Sequence, residues 1–271
     1  MGRTRCEPEG ALPEKDPRFV SALARGLAVL RAFRPQDRWL AHRELVARTG
    51  LPAATVSRLA FTLVALGYLR HRADAGTYAL SPAVLGLGFA MLSNFDVGRI
   101  ARPTMQRLAD DAKAAVSMAA RHGLSMVYVA HCRSPARLVL GLDVGARLPL
   151  PQTSVGRAVL CALPPFGRQR LLAEIEQHAG ADWSRLHERL LEAQEQYDRH
   201  GFVTVESEWE PSIAAAAVPL DLGDGRDVYS LSVGGASTWL HGSYLHDTIG
   251  PRLVAAAKEI VGAVHAADWD D

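Results

Sequence analysis

The sequence predicts an α+β protein of two unlike parts. A small basic domain of three helices and a strand–turn–strand comes first, then a larger domain with an antiparallel sheet flanked by helices; a short apolar linker helix joins them. Three observations predict this. Apolar residues recur at helical spacing between Phe19 and Leu66 and give way to a hairpin pattern, charge changes sign along the chain, and from Asp96 helices alternate with short strands without the βαβ rhythm of a parallel sheet. At 271 residues and 48% hydrophobic composition the chain is long enough to bury two cores.

The net charge of +1 hides the asymmetry. Between Arg18 and Leu80 ten arginines face only Asp37, Glu44 and Asp74, a local excess of +7, whereas 17 Lys and Arg face 22 Asp and Glu from Ser81 onward, a deficit of −5. A compact basic module on a mildly acidic body is the footprint of a phosphate-backbone binder, although a solvated Arg-rich surface carries the same charges. Residues 1–17, mixing Arg3, Arg5 and Lys15 with Glu7, Glu9, Glu14 and Asp16, read as a disordered tail. The chain has no apolar run of about 18 residues, so no membrane span is expected. Cys6, Cys132 and Cys161 are odd in number and far apart, which suits a reducing cytoplasm and neither a disulfide framework nor zinc.

The domain of residues 18–80 is built as follows. Leu23, Leu27 and Leu30, extended by Val20 and Phe33, give a first helix over 19–33 with one apolar stripe. A short helix around Arg43–Arg48 ends at Thr49-Gly50, and Pro52 opens the next. There Val56, Leu59, Leu63 and Leu66 form the inner face, while Thr55, Arg58 and Thr62, bordered by Ser57 and Phe61, form the outer one. Two helices joined by a tight glycine turn, the second with a polar outer stripe, are the helix-turn-helix arrangement whose second helix fits the DNA major groove. Gly67 stops that helix, and Tyr68–Arg72, Asp74-Ala75-Gly76 and Thr77–Leu80 read as a wing. The expected DNA contacts are Arg43, Thr55, Ser57, Arg58 and Thr62, with Arg70 and Arg72 reaching phosphates or a minor groove from the wing.

Two blocks, Phe19–Leu30 and Arg48–Leu59 followed by Leu66-Gly67-Tyr68-Leu69, resemble the N-terminal domain of IclR-type bacterial transcription regulators. The likeness is greatest to the branch controlling aromatic-acid catabolism, such as the 4-hydroxybenzoate, protocatechuate and β-ketoadipate regulators. The resemblance implies operator DNA and a small organic, in that branch aromatic, acid as partners, and a homodimer or tetramer. Ser81-Pro82 starts the linker helix, 81–96, whose apolar residues from Val84 to Phe95 cover more than one face and call for a second chain as cover.

The domain of residues 97–271 is expected to resemble the family's GAF-like effector domain. Helices are read at 97–115, 154–163, 168–178, 185–200 and 245–265, and strands at 116–120, 126–132, 138–144, 202–206, 213–220 and 228–234. Gly145–Pro149 leading to Thr153–Ala158 matches the family's pocket wall, where a helix start favours a carboxylate; capping by Thr153 or Ser154 is the competing reading. The alanines at 214–217 either admit a close helix or leave floor space for a ligand, and Ser230–Gly235 matches the last family strand. Carried over, the pocket residues are Leu140, Ser154, Val155, Ala215 and Ser232. Two departures stand out: the acid that meets small oxo-acids in part of the family falls at Val205, beside Glu206, and an apolar wall position falls at Arg137.

Two other classes compete. An enzyme would need a nucleophile, metal or cofactor motif, and the chain has no G-x-S-x-G, H-E-x-x-H, G-x-G-x-x-G or P-loop; Gly223-Asp224-Gly225 reads as a turn, and His241 with His246 lacks a third ligand. No catalytic residue, metal or cofactor is therefore expected. A protein-interaction sensor with a vestigial helix-turn-helix is opposed by the arginine excess and the intact outer stripe.

Overall fold

The computed structural model describes residues 16–135, 141–223 and 228–267. They fall into two compact units, one ending at Asn94 and one beginning at Phe95, and the architecture is the α+β one expected.

The first unit runs α1 (Ser21–Arg31), β1 (Leu40–Ala41), α2 (His42–Thr49), α3 (Ala53–Ala65), β2 (Leu69–Arg72), β3 (Thr77–Leu80) and α4 (Ala83–Ser93). Its three strands are antiparallel in the order β1-β3-β2. Gly50 closes α2 with φ 65°, a left-handed conformation that costs glycine nothing. Glu44 Oε2 accepts the Ala41 N–H at 2.7 Å at the other end of that helix. Arg48 pairs with Asp37 and donates to the Ala32 carbonyl at 3.0 Å, fastening α2 to the chain that leaves α1. That guanidinium, with the Arg34 N–H, holds the Asp37 carboxyl below the usual carboxylate range.

The core here is Val29, Leu40, Leu45, Val56, Ala60, Leu63 and Leu69. It departs from the expected stripes in one respect: Val20, Leu23, Leu27 and Leu66 are exposed, and α1 turns Val29 inward instead. Every apolar side chain of α4 is at least partly exposed as well, Leu85 by 74% and Phe89 by 71%.

The second unit runs α5 (Asp96–Ala112), β4 (Ala115–His122), β5 (Ser125–Arg133), β6 (Arg147–Pro149), α6 (Ser154–Ala162), α7 (Pro165–Ala179), α8 (Trp183–His200), β7 (Val203–Glu206), β8 (Ile213–Leu220) and β9 (Tyr229–Ala236). A π-helical turn over Tyr244–Ile249 then leads into α9 (Gly250–Ala267). Six strands form one antiparallel sheet in the order β6-β5-β4-β9-β8-β7. On one face α5 and α9 pack against Val116, Met118, Leu231 and Val233; on the other α6 and its neighbours cover Ala119, Tyr128 and Ala217.

The alternation of β8 serves both readings of its alanines. Ala214 and Ala216 face the α5–α9 core, while Ala215 and Ala217 face the α6 side. The strand expected at 138–144 is a correction: residues 136–140 lie outside the described residues, 141–144 are not strand, and the strand beside β5 on the side away from β4 is β6. The tail 1–15 and Asp224-Gly225 of the expected turn also lie outside the described residues.

Candidate DNA interface and effector cleft

α3 presents its outer face at Ala54, Arg58, Phe61 and Ala65, diametrically opposite buried Val56, Ala60 and Leu63. Arg58 is exposed at the centre of that face. Ser57, also exposed, is joined to His42 Nε2 at 2.9 Å, which ties α3 to the start of α2. Thr62 Oγ1 donates to the Arg58 carbonyl at 3.0 Å, so its hydroxyl hydrogen is engaged by its own helix. Thr55 is half-buried on the flank that, with Arg58 and Thr62, lines an open groove against Leu23, Leu27 and Leu30 of α1. Arg43 is exposed on α2, and Arg70 and Arg72 are exposed on β2. Sequence reasoning missed Trp39, over whose ring stand both wing guanidiniums, Arg72 Cζ at 4.1 Å and Arg70 Cζ at 5.5 Å from the centroid. A tryptophan followed by a hairpin with arginines two apart was the available signal.

In the second unit the N-terminus of α6 opens onto a cleft of about 450 Å³, mouth included, over strands β5, β8 and β9. Ser154 and Val155 from α6, Ala215 from β8 and Ser232 from β9 share this cleft; Leu140 and Arg137 lie outside the described residues. Thr153 Oγ1 donates to the Pro149 carbonyl at 2.9 Å, and no side chain caps the helix, so the capping reading does not describe this helix start. Val205 lines the cleft, whereas Glu206 lies outside its lining, accepting the Gly242 N–H at 3.4 Å with His246 Nε2 at 3.8 Å.

A buried polar cluster next to Tyr128 and Ser232 of the cleft lining comes from register across three strands. Ser117 of β4 is paired with His131 of β5 on one side and Ser232 of β9 on the other. Its hydroxyl meets His131 Nδ1 at 2.8 Å, and Ser232 Oγ donates to the Ser117 carbonyl at 3.3 Å. Tyr128, bonded to Ser117 and Ser232, lines the cleft; burial pushes its hydroxyl above the usual tyrosine range. Burial also lowers His131, with Arg133 adding to the effect, which keeps the imidazole neutral at pH 7. Tyr128, Ser117 and His131 were missed because a bulge between Met118 and Ala119 sets which residues of β5 share their face.

Trp209 and Glu210, on the loop after β7, complete the rim of the cleft. That loop is fastened to α6 by Arg157, whose side chain is 3% exposed. It donates to both carboxylate oxygens of Glu208 at 3.1 and 2.6 Å and to the Pro151 carbonyl at 2.9 Å. Both described cysteines are buried, and burial pushes the Cys161 thiol up to about 11, far from a thiolate nucleophile. Among the described residues no group of three metal-ligating side chains occurs, and no single helix is long and apolar enough to cross a membrane.

Residues 22–73 match the IclR helix-turn-helix domain, and residues 89–261 match the C-terminal domain of bacterial transcriptional regulators of the IclR type. The chain belongs to the IclR family of bacterial transcriptional regulators. It is 32% identical to the HTH-type transcriptional regulator TsaQ1/TsaQ2 of Comamonas testosteroni, over 97% of this chain and 95% of that one. With the Pca regulon regulatory protein of Pseudomonas putida it shares 34% identity over 90% of this chain and 84% of the relative. The crystal structure of an IclR family regulator from Brucella abortus superposes with a TM-score of 0.83 at 42% identity, covering 94% of this chain and 97% of that one. This IclR-family chain is thus a DNA-binding transcription regulator with an effector-binding domain, not an enzyme.

Proposed function

We propose that this regulator controls catabolic genes by binding operator DNA as a dimer through Arg58 and its neighbours on α3, and that it senses a small aromatic monocarboxylate in the α6 cleft. The observation that carries the second half is the uncapped first turn of α6, which lines a cleft together with Tyr128 and Ser232. Free N–H groups at the positive end of a helix favour a carboxylate. Leu142, Leu148, Val155 and Trp209 offer the apolar walls that suit a ring, and the Glu210 carboxylate at the rim repels a second negative charge. A Pca regulon regulator among the relatives agrees with an aromatic acid. The exposed apolar side chains of α1 and α4 are the surface a second copy would cover, with dimers pairing into tetramers as a further possibility of the family.

A double dissociation tests the reading. Arg58→Ala is expected to weaken binding to a duplex from the region upstream of the protein's own gene by about 10- to 100-fold, the range of one lost base-reading contact, while sparing acid-induced thermal shifts. Ser232→Ala is expected to cut the thermal shift produced by benzoate-type acids and leave DNA affinity alone. Fluorescence anisotropy and a thermal-shift panel read the two outcomes. An Arg58→Ala protein binding that duplex like the parent removes α3 from the groove, and no shift with any aromatic or short-chain acid removes the effector assignment.

A further inference from the structure

The wing arginines alternate with Leu69 and His71 along β2 and therefore stand on the sheet face opposite the core. On the core side His71 stacks on Tyr78 with ring centroids 4.6 Å apart. On the outer side Arg70 is in register with Ala79 and Arg72 with Thr77, small residues over which the indole of Trp39, just before β1, reaches both guanidiniums. Two like charges thus converge on one ring. Among the described residues no carboxylate forms an ion pair with either. An indole face offsets part of their repulsion, and an anion between them would offset more.

We infer that Trp39 is a positioning residue which folds Arg70 and Arg72 back onto the wing sheet as a clamp for the phosphodiester backbone, so that the wing grips DNA without reading its sequence. The inference rests on the proposal that this unit docks on DNA through α3, and it settles between the two roles open to the wing. A minor-groove reader must extend its guanidinium between the strands, from the hairpin tip. Here both guanidiniums lie along the sheet face, away from the tip at Asp74-Ala75-Gly76. A guanidinium stacked on an aromatic ring still offers its N–H edge to a phosphate oxygen, with its rotamer already chosen.

The test measures affinity for the upstream duplex and for a scrambled duplex of equal length, each across a salt series. Trp39→Ala is expected to lower both affinities by the same factor, about three- to tenfold from two exposed cation–π contacts, leaving their ratio unchanged. Trp39→Phe should restore most of the loss. Arg70→Gln and Arg72→Gln, both at exposed positions, should each reduce the salt slope by about 0.9, the value for one phosphate contact, again without changing the ratio. Loss confined to the upstream duplex in these variants would overturn the clamp in favour of minor-groove reading, and unchanged affinity for both duplexes would overturn it outright. Arg58→Ala in the same titration is expected to lower the ratio; an unchanged ratio there strikes the α3 assignment and leaves the wing result to be judged by its own variants.

Discussion

Glu208→Ala should destabilise the effector-binding domain by about 1–3 kcal/mol, the range for leaving a buried donor without its partner, and lower its melting temperature by roughly 5 °C. The size follows from an asymmetry in the pair. Arg157 is 3% exposed and Glu208 32% exposed, so loss of the carboxylate strands a buried guanidinium with only the Pro151 carbonyl, whereas loss of the arginine lets Glu208 turn toward water. Arg157→Met should therefore cost less than Glu208→Ala, and Arg157→Met/Glu208→Leu should recover most of the loss, because well-packed apolar side chains replace buried pairs without penalty. Thermal denaturation of the three variants decides it; a Glu208→Ala protein melting within 2 °C of the parent shows that the pair does not carry the loop. Function enters through that loop. Trp209 and Glu210 follow Glu208 directly and line the proposed effector cleft, so the same substitution should weaken acid binding more than its stability cost alone explains.

How far the residues foretold this structure depends on whether the controlling interaction is local. β8 occupies the expected Ile213–Leu220, because its flanking turns and unbroken apolar run belong to the segment itself. Gly50 marked the end of α2 for an equally local reason, its left-handed backbone. The stripe on α1 shows the limit. Spacing reported correctly that Leu23 and Leu27 lie on one face, yet that face is exposed within one chain, since periodicity encodes a wish for burial and not the identity of the cover.

The same limit governs the cleft. Ser154 and Val155 came from a contiguous motif and Ser232 from a strand match, but Ser117, Tyr128 and His131 meet only through pairing among β4, β5 and β9. A one-residue shift in register would turn them to the opposite face, and no local pattern fixes the bulge that prevents it. The strand misread at 138–144 has a related origin: Leu142 and Val144 alternate like a strand, although Leu142 serves as cleft wall and the turn after it carries the chain back into β6.

Gly156→Ala should uncouple sensing from DNA binding in one step. Gly156 is the third residue of α6, and a Cβ there would stand 2.0 Å from the Leu150 carbonyl oxygen and 2.5 Å from its Cα, against the 3.4–4 Å of ordinary contact. Those neighbours are backbone and cannot swing aside, so α6 itself must withdraw from the chain following β6. That costs about 3 kcal/mol, the upper end of ordinary overpacking, and carries Ser154 and Val155 away from Tyr128 and Ser232. The helix-turn-helix unit has its own core around Val29, Leu45 and Val56 and no part in the clash. Below the lowered melting temperature the variant should therefore bind the upstream duplex with near-parental affinity while showing no thermal shift with acids that shift the parent. Gly167→Ala supplies the contrast: it too lies in a helix, α7, but a Cβ there meets nothing within 4 Å, and its helix propensity gain makes it neutral or slightly stabilising. If Gly156→Ala keeps both parental stability and acid response, the close seat of α6 on Leu150 is not what holds the cleft open, and the carboxylate has to be sought at another wall.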